Sequence, residues 1–371
     1  MAQPTLSLSM IVRDAEETVG NALKDASQFC DELVVVDTGS ADNTVEIVRS
    51  FGARIFHFDW INDFSAARNF AADQCLGTWI LWLDADDRIP SEAWPGFQLI
   101  VDGLDKLAQA DAVLLPYHRS FAADNPSVCT YSLECVRMWR RNSRLRWMER
   151  IHEYLRQDGE DPIAAIRRDN AWVEHRPLSG HVARSLVRNR QIIEACLASG
   201  DRSPRLLCYH VFTLASEDRH SEALEACEEI LRDPALGAAI PDEVRYDLLA
   251  VAAISAASLE IPEKKVEFLA QAMILDPERA EPLVELGKHF YEKREWHRAM
   301  PFFAAATTLH RPEFGARDPA LYSYLPWDYL AICASEIGDF KKAMDYTMRA
   351  LPGHPDKQRL VANLDVYAKH L

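Results

Sequence analysis

The run TWILWLDADD carries an apolar strand pattern straight into Asp84, Asp86 and Asp87. Alternate carboxylates at a strand end can grip one hard divalent cation, and such a cation also takes phosphate oxygens. Clustered acids resist ionising together, so a counter-charge or a cation is the expected companion. A second acid, Asp37, follows the run LVVV and precedes the small turn Thr38-Gly39-Ser40, where it can accept hydrogen bonds from a base or a ribose hydroxyl. In the segment DFSAARN, Asp63 stands at the start of a helical pattern and Arg68 within it. An arginine there can face a diphosphate, and Asp63 a uracil edge or a ribose. Further along, Glu149-Arg150-Ile151-His152-Glu153 offers a general base in Glu153 or Glu149 and a metal or diphosphate contact in His152. His175, in WVEHRP, is a further candidate metal ligand.

These residues need elements to place them. Up to about residue 120 the chain alternates short β-branched runs with helical stretches: strands at 6–12, 33–36, 53–58, 78–83 and 111–115, helices at 15–29, 41–50 and 64–75. Such alternation implies right-handed βαβ units and a mostly parallel sheet, whose ligands bind beyond the carboxyl ends of the strands. Asp37 and the acids Asp84, Asp86 and Asp87 fall directly after such strands, and Asp63 follows the third at the start of the next helix. Neither GxGxxG nor GxxxxGK[ST] occurs, which argues against dinucleotide hydride carriers and P-loop phosphates. Residues 128–175 read as further strands forming a mixed edge of the same domain, which is expected to span 1–178. Within them Arg137, Arg140, Arg141, Arg144, Arg146 and Arg150 alternate with Trp139 and Trp147. That cluster reads as solvated strand arginines, as a platform for a diphosphate or an acidic acceptor, or as a DNA contact.

From about residue 182 the pattern is helical alone, so the second domain is expected at 179–371. Apolar helical segments close on Pro234, Pro277, Pro312 and Pro352, at separations of 43, 35 and 40. Those intervals approach the ~34-residue helix–turn–helix repeat, with insertions. The expected fold is therefore α/β followed by an all-α repeat stack. The stack suits the positioning of an acceptor; on its own it would be a noncatalytic scaffold for a protein partner.

Taken in order, LSMIVRDAEETV, VVVDTGSADNT, DFSAARN and LWLDADD resemble family 2 glycosyltransferases of the GT-A fold. RWMERIHEYL and the repeats resemble a bacterial and phage subgroup with tetratricopeptide-like repeats behind the catalytic domain. The resemblance implies that Asp37 and Asp63 contact the nucleoside, flanked by Val12, Arg13 and Glu16. It places Arg68 near the diphosphate, Asp84 at the ribose or a metal-bound water, and Asp86 on Mn²⁺ or Mg²⁺. It implies an inverting transfer from a nucleotide-sugar, a UDP-sugar above all, to a hydroxyl or thiol of a peptide, a protein or hydroxymethylated phage-type DNA. The family's usual Glu-Asp pair, which supplies the base in many members, has no obvious copy in this chain.

Composition sets outer bounds. Of 371 residues 48% are hydrophobic, enough for packed cores, and 41 basic against 57 acidic residues give −16, a poor balance for coating nucleic acid. Eight cysteines without a CxxC pair suit a reducing cytosol better than a disulfide framework or a zinc ribbon. No apolar stretch approaches the ~20 residues of a membrane span, and the N-terminus lacks the basic start of a signal peptide.

Overall fold

The computed structural model describes residues 5–107, 109–122, 126–127, 129–157, 163–312 and 318–371. It divides into two compact units, Met1–Gly200 and Asp201–Leu371. The helix at 179–198, expected to open the second domain, belongs to the first unit.

In the first unit β1 (Leu6–Val12), α1 (Val19–Ala26), β2 (Glu32–Asp37), α2 (Thr44–Ser50), β3 (Arg54–His57), α3 (Phe64–Gln74) and β4 (Trp79–Trp82) alternate as the hydrophobic pattern requires. They are followed by β5 (Asp87–Arg88), α4 (Trp94–Gly103), β6 (Ala112–Phe121), β7 (Cys129–Arg140), β8 (Leu145–Met148), β9 (Tyr154–Gln157), β10 (Ala165–Arg167), β11 (Val173–His175) and α5 (Ser179–Ala198). The main sheet runs β3-β2-β1-β4-β7-β6-β11-β5, with β10 also beside β6. β1 to β4 are mutually parallel where they pair, and their register sets Val12 opposite Asp37 and Asp37 opposite His57. Strand ends that carry chemistry therefore share one edge of the sheet.

The alternation in β1 decides how the layers pack. Leu6, Leu8, Met10 and Val12 are buried on one face with Val19, Leu23 and Ala26 of α1 and Phe97 of α4. Ser7 and Ser9 point the other way, where small side chains let helix α3 come close; Ala67, Arg68, Ala71 and Ala72 are its buried residues. Asp63 caps α3 by accepting from Ala66 N at 2.9 Å, which satisfies a donor that the first turn leaves free.

Strand β7 does not form an edge. It runs antiparallel between β4 and β6, so Met138 and Trp139 sit in the core and Arg137 is fully buried. The arginines beside it bond to backbone: Arg140, half-buried, donates to the carbonyls of Ala110 and Leu107, and Arg141, still exposed, to that of Gly77. The solvated reading holds for Arg141, Arg144, Arg146 and Arg150, which are exposed, but not for Arg137, which aromatic rings enclose.

The second unit is helical throughout its described elements: α6 (Pro204–Ser216), α7 (His220–Arg232), α8 (Pro234–Ala239), α9 (Asp242–Ser258), α10 (Pro262–Leu275), α11 (Ala280–Glu292), α12 (Trp296–Ala306), α13 (Leu325–Glu336), α14 (Phe340–Ala350) and α15 (Lys357–Ala368). α6 packs on α7, α9 on α10, α11 on α12 and α13 on α14. The four turns share one geometry. Asp218, Glu260, Arg294 and Gly338 each take positive φ, between 57° and 81°. The following N–H groups reach back five residues: Arg219 to Leu214, Ile261 to Ala256, Glu295 to Phe290 and Asp339 to Ala334. That is the helix C-terminal closure in which a left-handed residue lets late N–H groups satisfy orphan carbonyls. Its fourfold recurrence makes these pairs structural repeats.

Gly287 in α11 has a steric reason. A Cβ there would lie 2.6 Å from Cε1 of Phe303, whose ring stacks on Tyr329 at 4.6 Å. Gly287→Ala should cost about 1–3 kcal/mol by overpacking, despite alanine's better helix propensity. Denaturant unfolding of the full chain would read this as a loss in the transition of the second unit.

Candidate functional site

The carboxyl ends of β1, β2 and β4 open into a cleft of about 980 Å³, with walls that include Val12, Arg13, Thr38, Asp84, Asp86 and His175. Two structural devices build its acidic corner. β4 ends at Trp82, and the turn after it is closed by the Asp87 N–H donating to the Asp84 carbonyl at 3.0 Å. Strand β11 then returns beside β5, with His175 opposite Asp87, and Arg176 N donates to Asp86 O at 2.9 Å. His175 is thereby brought against the acids despite the long stretch of chain between them.

Each acid has a different environment. Asp84 accepts from Arg68 Nη2 at 2.7 Å; burial favours its neutral form, but the charge and hydrogen bond of Arg68, with Arg137 and His175 beyond, outweigh this and hold it at about 2. Asp86 is pushed up to about 6, first by burial and then by the like charges of Asp84 and Asp87, against the opposing pull of His175. Burial would lower His175, yet Asp87, Asp86 and Asp84 together raise it. Its Nδ1 lies 3.5 Å from Asp86 Oδ1 and 3.4 Å from Asp87 Oδ1, and this buried atom has no hydrogen-bond partner. Oxygens of Asp86 and Asp87 and a nitrogen of His175 all lie within 4.8 Å of one another. An imidazole nitrogen and a carboxylate facing one point are a donor set suited to a divalent cation.

Arg68 is not open to solvent. Its Nε donates to Glu153 Oε1 at 2.6 Å, and its guanidinium lies over the rings of Trp82 and Trp147 at 4.9 and 5.0 Å. Burial disfavours its charge, but Asp84 and Glu153 raise its pKa well above the usual arginine value. Arg68 thus ties the DxD turn to the segment after β8.

The other sequence-derived candidates are placed as follows. Val12 accepts from Thr38 N and Oγ1, both at 3.0 Å, and lines the cleft with the exposed Arg13. Glu16 lies outside the lining and accepts from Asn43 N and Nδ2 at 3.0 and 2.7 Å. Asp37, almost fully buried, accepts from the N–H groups of Gly39 and Ser40, and Asp63 is occupied as the α3 cap. Neither acid lines the cleft, although their neighbours Thr38, Asn62 and Phe64 do. His152 and Glu153 line it and Glu149 does not; Glu149 and His152 both adopt positive φ, 71° and 54°.

Sequence reasoning did not find three contributors: Arg119 of β6, the Trp60–Phe64 edge-to-face pair, and Arg188 with Asn189 of α5. Arg188 lies over the Phe64 ring at 4.7 Å. The only signal was the polar, arginine-rich start of α5, which reads equally well as a solvated face.

Residues 7–113 match the family model described as glycosyl transferase family 2. A TPR repeat-containing protein of Synechococcus elongatus, Synpcc7942_0270, is 42% identical over 124 residues, covering 32% of this chain and 31% of that protein. The SPbeta prophage-derived glycosyltransferase SunS of Bacillus subtilis is 25% identical over 228 residues, covering 60% and 52%. An uncharacterized glycosyltransferase of Rickettsia typhi, RT0209, is 30% identical over 87 residues, covering 24% and 30%. The chain thus spans about half or less of the length of these relatives. Among solved structures, YrrB, titled a TPR protein with an unusual peptide-binding site, aligns at 20% identity and TM-score 0.37, over 52% of this chain and 87% of that one. No described helix is long and apolar enough to cross a membrane. The family match and the recurring helix pairs fall on the two units in turn: residues 7–113 of the α/β unit carry the match to glycosyl transferase family 2, and a unit of repeated helix pairs follows.

Proposed function

We propose that the protein transfers a sugar from a nucleotide-sugar, a UDP-sugar first among them, to a hydroxyl or thiol of a peptide or protein acceptor. The observation that carries this reading is the convergence of Asp86 and the unpartnered His175 Nδ1 in the cleft that Val12 and Arg13 also line. Asp86 and His175 would hold Mn²⁺ or Mg²⁺, which when bound acts as a Lewis acid on the departing diphosphate. Val12 and Arg13 flank the nucleoside. Glu153, oriented by its bond to Arg68, takes the acceptor proton with its second oxygen as the anomeric carbon is attacked and its bond to the phosphate oxygen breaks.

A repeat stack offers the extended surface on which a peptide segment is held, which favours a protein acceptor. A DNA acceptor loses part of its support, because Arg137 is wholly buried on Asp87 and Arg140 is engaged with backbone carbonyls, whereas Arg141, Arg144, Arg146 and Arg150 stay exposed. The test is release of UDP from UDP-sugars with and without Mn²⁺, with no acceptor added. Slow, cation-dependent hydrolysis is expected. Absence of both nucleotide binding and hydrolysis across a panel of nucleotide-sugars would refute sugar transfer and leave a scaffold.

Cation affinity should depend on pH in a stated direction. Asp86 titrates near 6 and must be ionised to ligate, while His175, raised from its ordinary value, must be neutral. Both conditions mean proton loss, so Mn²⁺ affinity rises with pH through the region near 6. Calorimetric titrations between pH 5 and pH 8 would reveal a flat profile if these groups are not ligands.

A further inference from the structure

Asp87 has a carboxylate within reach of the same point as Asp86 and His175, and both its oxygens already accept hydrogen bonds inside the domain. Oδ1 accepts from the Tyr117 hydroxyl at 2.9 Å, and Oδ2 accepts from Arg137 Nη1 at 2.9 Å and from the Asp84 N–H at 3.0 Å. Asp87 and Arg137 are both wholly inaccessible to solvent. The guanidinium of Arg137 lies between the rings of Trp82 and Tyr117, at 3.8 and 3.9 Å, and its Nη1 also reaches the Trp82 carbonyl at 3.4 Å. Its Nε and Nη2 have no hydrogen-bond partner, so the aromatic faces and Asp87 are what stabilise the buried charge. A cation at Oδ2 would sit against the Arg137 guanidinium, and one at Oδ1 would share that oxygen with the Tyr117 hydroxyl.

Resting on the cation reading of the cleft, we propose that Asp87, Tyr117 and Arg137 are positioning residues. They form a buried strut that fixes the turn of Asp84 and Asp86 so that Asp86 and His175 meet the cation, and Asp87 itself is not a ligand. The strut draws on three neighbouring strands: Arg137 comes from β7, Tyr117 from β6, and Trp82 ends β4. One carboxylate therefore registers the turn against the centre of the sheet, and through the β5–β11 pairing it sets His175 as well. Ligand orientation of this kind governs metal affinity without contact with the metal.

The test uses the full chain and Mn²⁺ alone, by calorimetric titration and by melting, with Asp86→Ala as the reference for a lost ligand. Asp87→Asn leaves Arg137 without its counter-charge and can fail to fold, so Tyr117→Phe, which removes one hydroxyl, is the decisive variant. It should melt within a few degrees of the parent while its Mn²⁺ affinity falls on the order of tenfold. Where Asp87→Asn folds, it should still bind Mn²⁺, weakened in the same sense. Unaltered Mn²⁺ affinity in Tyr117→Phe overturns the strut, as does an Asp87→Asn chain that folds and loses binding as completely as Asp86→Ala. A parent chain that binds no Mn²⁺ overturns the cation reading together with the strut.

Discussion

An Asp86→Ala variant should fold, melt no lower than the parent, and lose on the order of a thousandfold in cation-dependent sugar transfer. On the proposed reading, the rate effect would follow from removing a ligand of the cation that places positive charge against the departing diphosphate. The stability effect has the opposite sign from an ordinary core truncation. Asp86 is raised to about 6, so the folded chain binds its proton more tightly than the unfolded chain does. Stability from this group is present at low pH and lost as pH rises through about 6, and at neutral pH the ionised side chain is a liability. Its removal relieves the repulsion from Asp84 and Asp87. Transfer assays with and without Mn²⁺, beside a melting curve, would check both halves; undiminished transfer would take Asp86 out of the mechanism.

Arg68→Ala should be strongly destabilising to the first unit. It strands Asp84 and Glu153, both largely buried, and removes the cation from between Trp82 and Trp147. Breaking a buried pair by deleting one partner costs about 3–5 kcal/mol, or about 10 °C in a unit of this size. Acid should erase part of the difference. Asp84 is held at about 2, below its unfolded value, so its stabilising contribution is present above about 4 and fades as pH falls toward 2. Melting scans of parent and variant across that range should converge at the acid end. A variant that melts within two or three degrees of the parent at pH 7 would refute the clamp.

The parts of the molecule written in local pattern were legible. β1, β2 and β4 announce themselves by apolar runs, α3 by its alanines and the Asp63 cap, and the DxD turn by its place directly after β4. The repeats were visible as prolines at regular intervals, although the shared left-handed turns were not, because Asp218, Glu260 and Arg294 are not glycines. What stayed hidden depends on partners far along the chain. Arg68 in DFSAARN reads as a free cation, since Trp147 and Glu153 that enclose it belong to a later segment. Arg137 reads as a surface arginine until β7 is seen between β4 and β6. Likewise β5, a two-residue strand, carries too little pattern to be seen before β11 pairs with it.

That return of β11 also orders events during synthesis. The DxD turn leaves the ribosome early, whereas Glu153 and His175 emerge only after the segment matched by the family model has been made. A nascent chain halted before β11 therefore presents its acids without the imidazole opposite them, and on the proposed reading ion capture would wait for that strand to pair with β5.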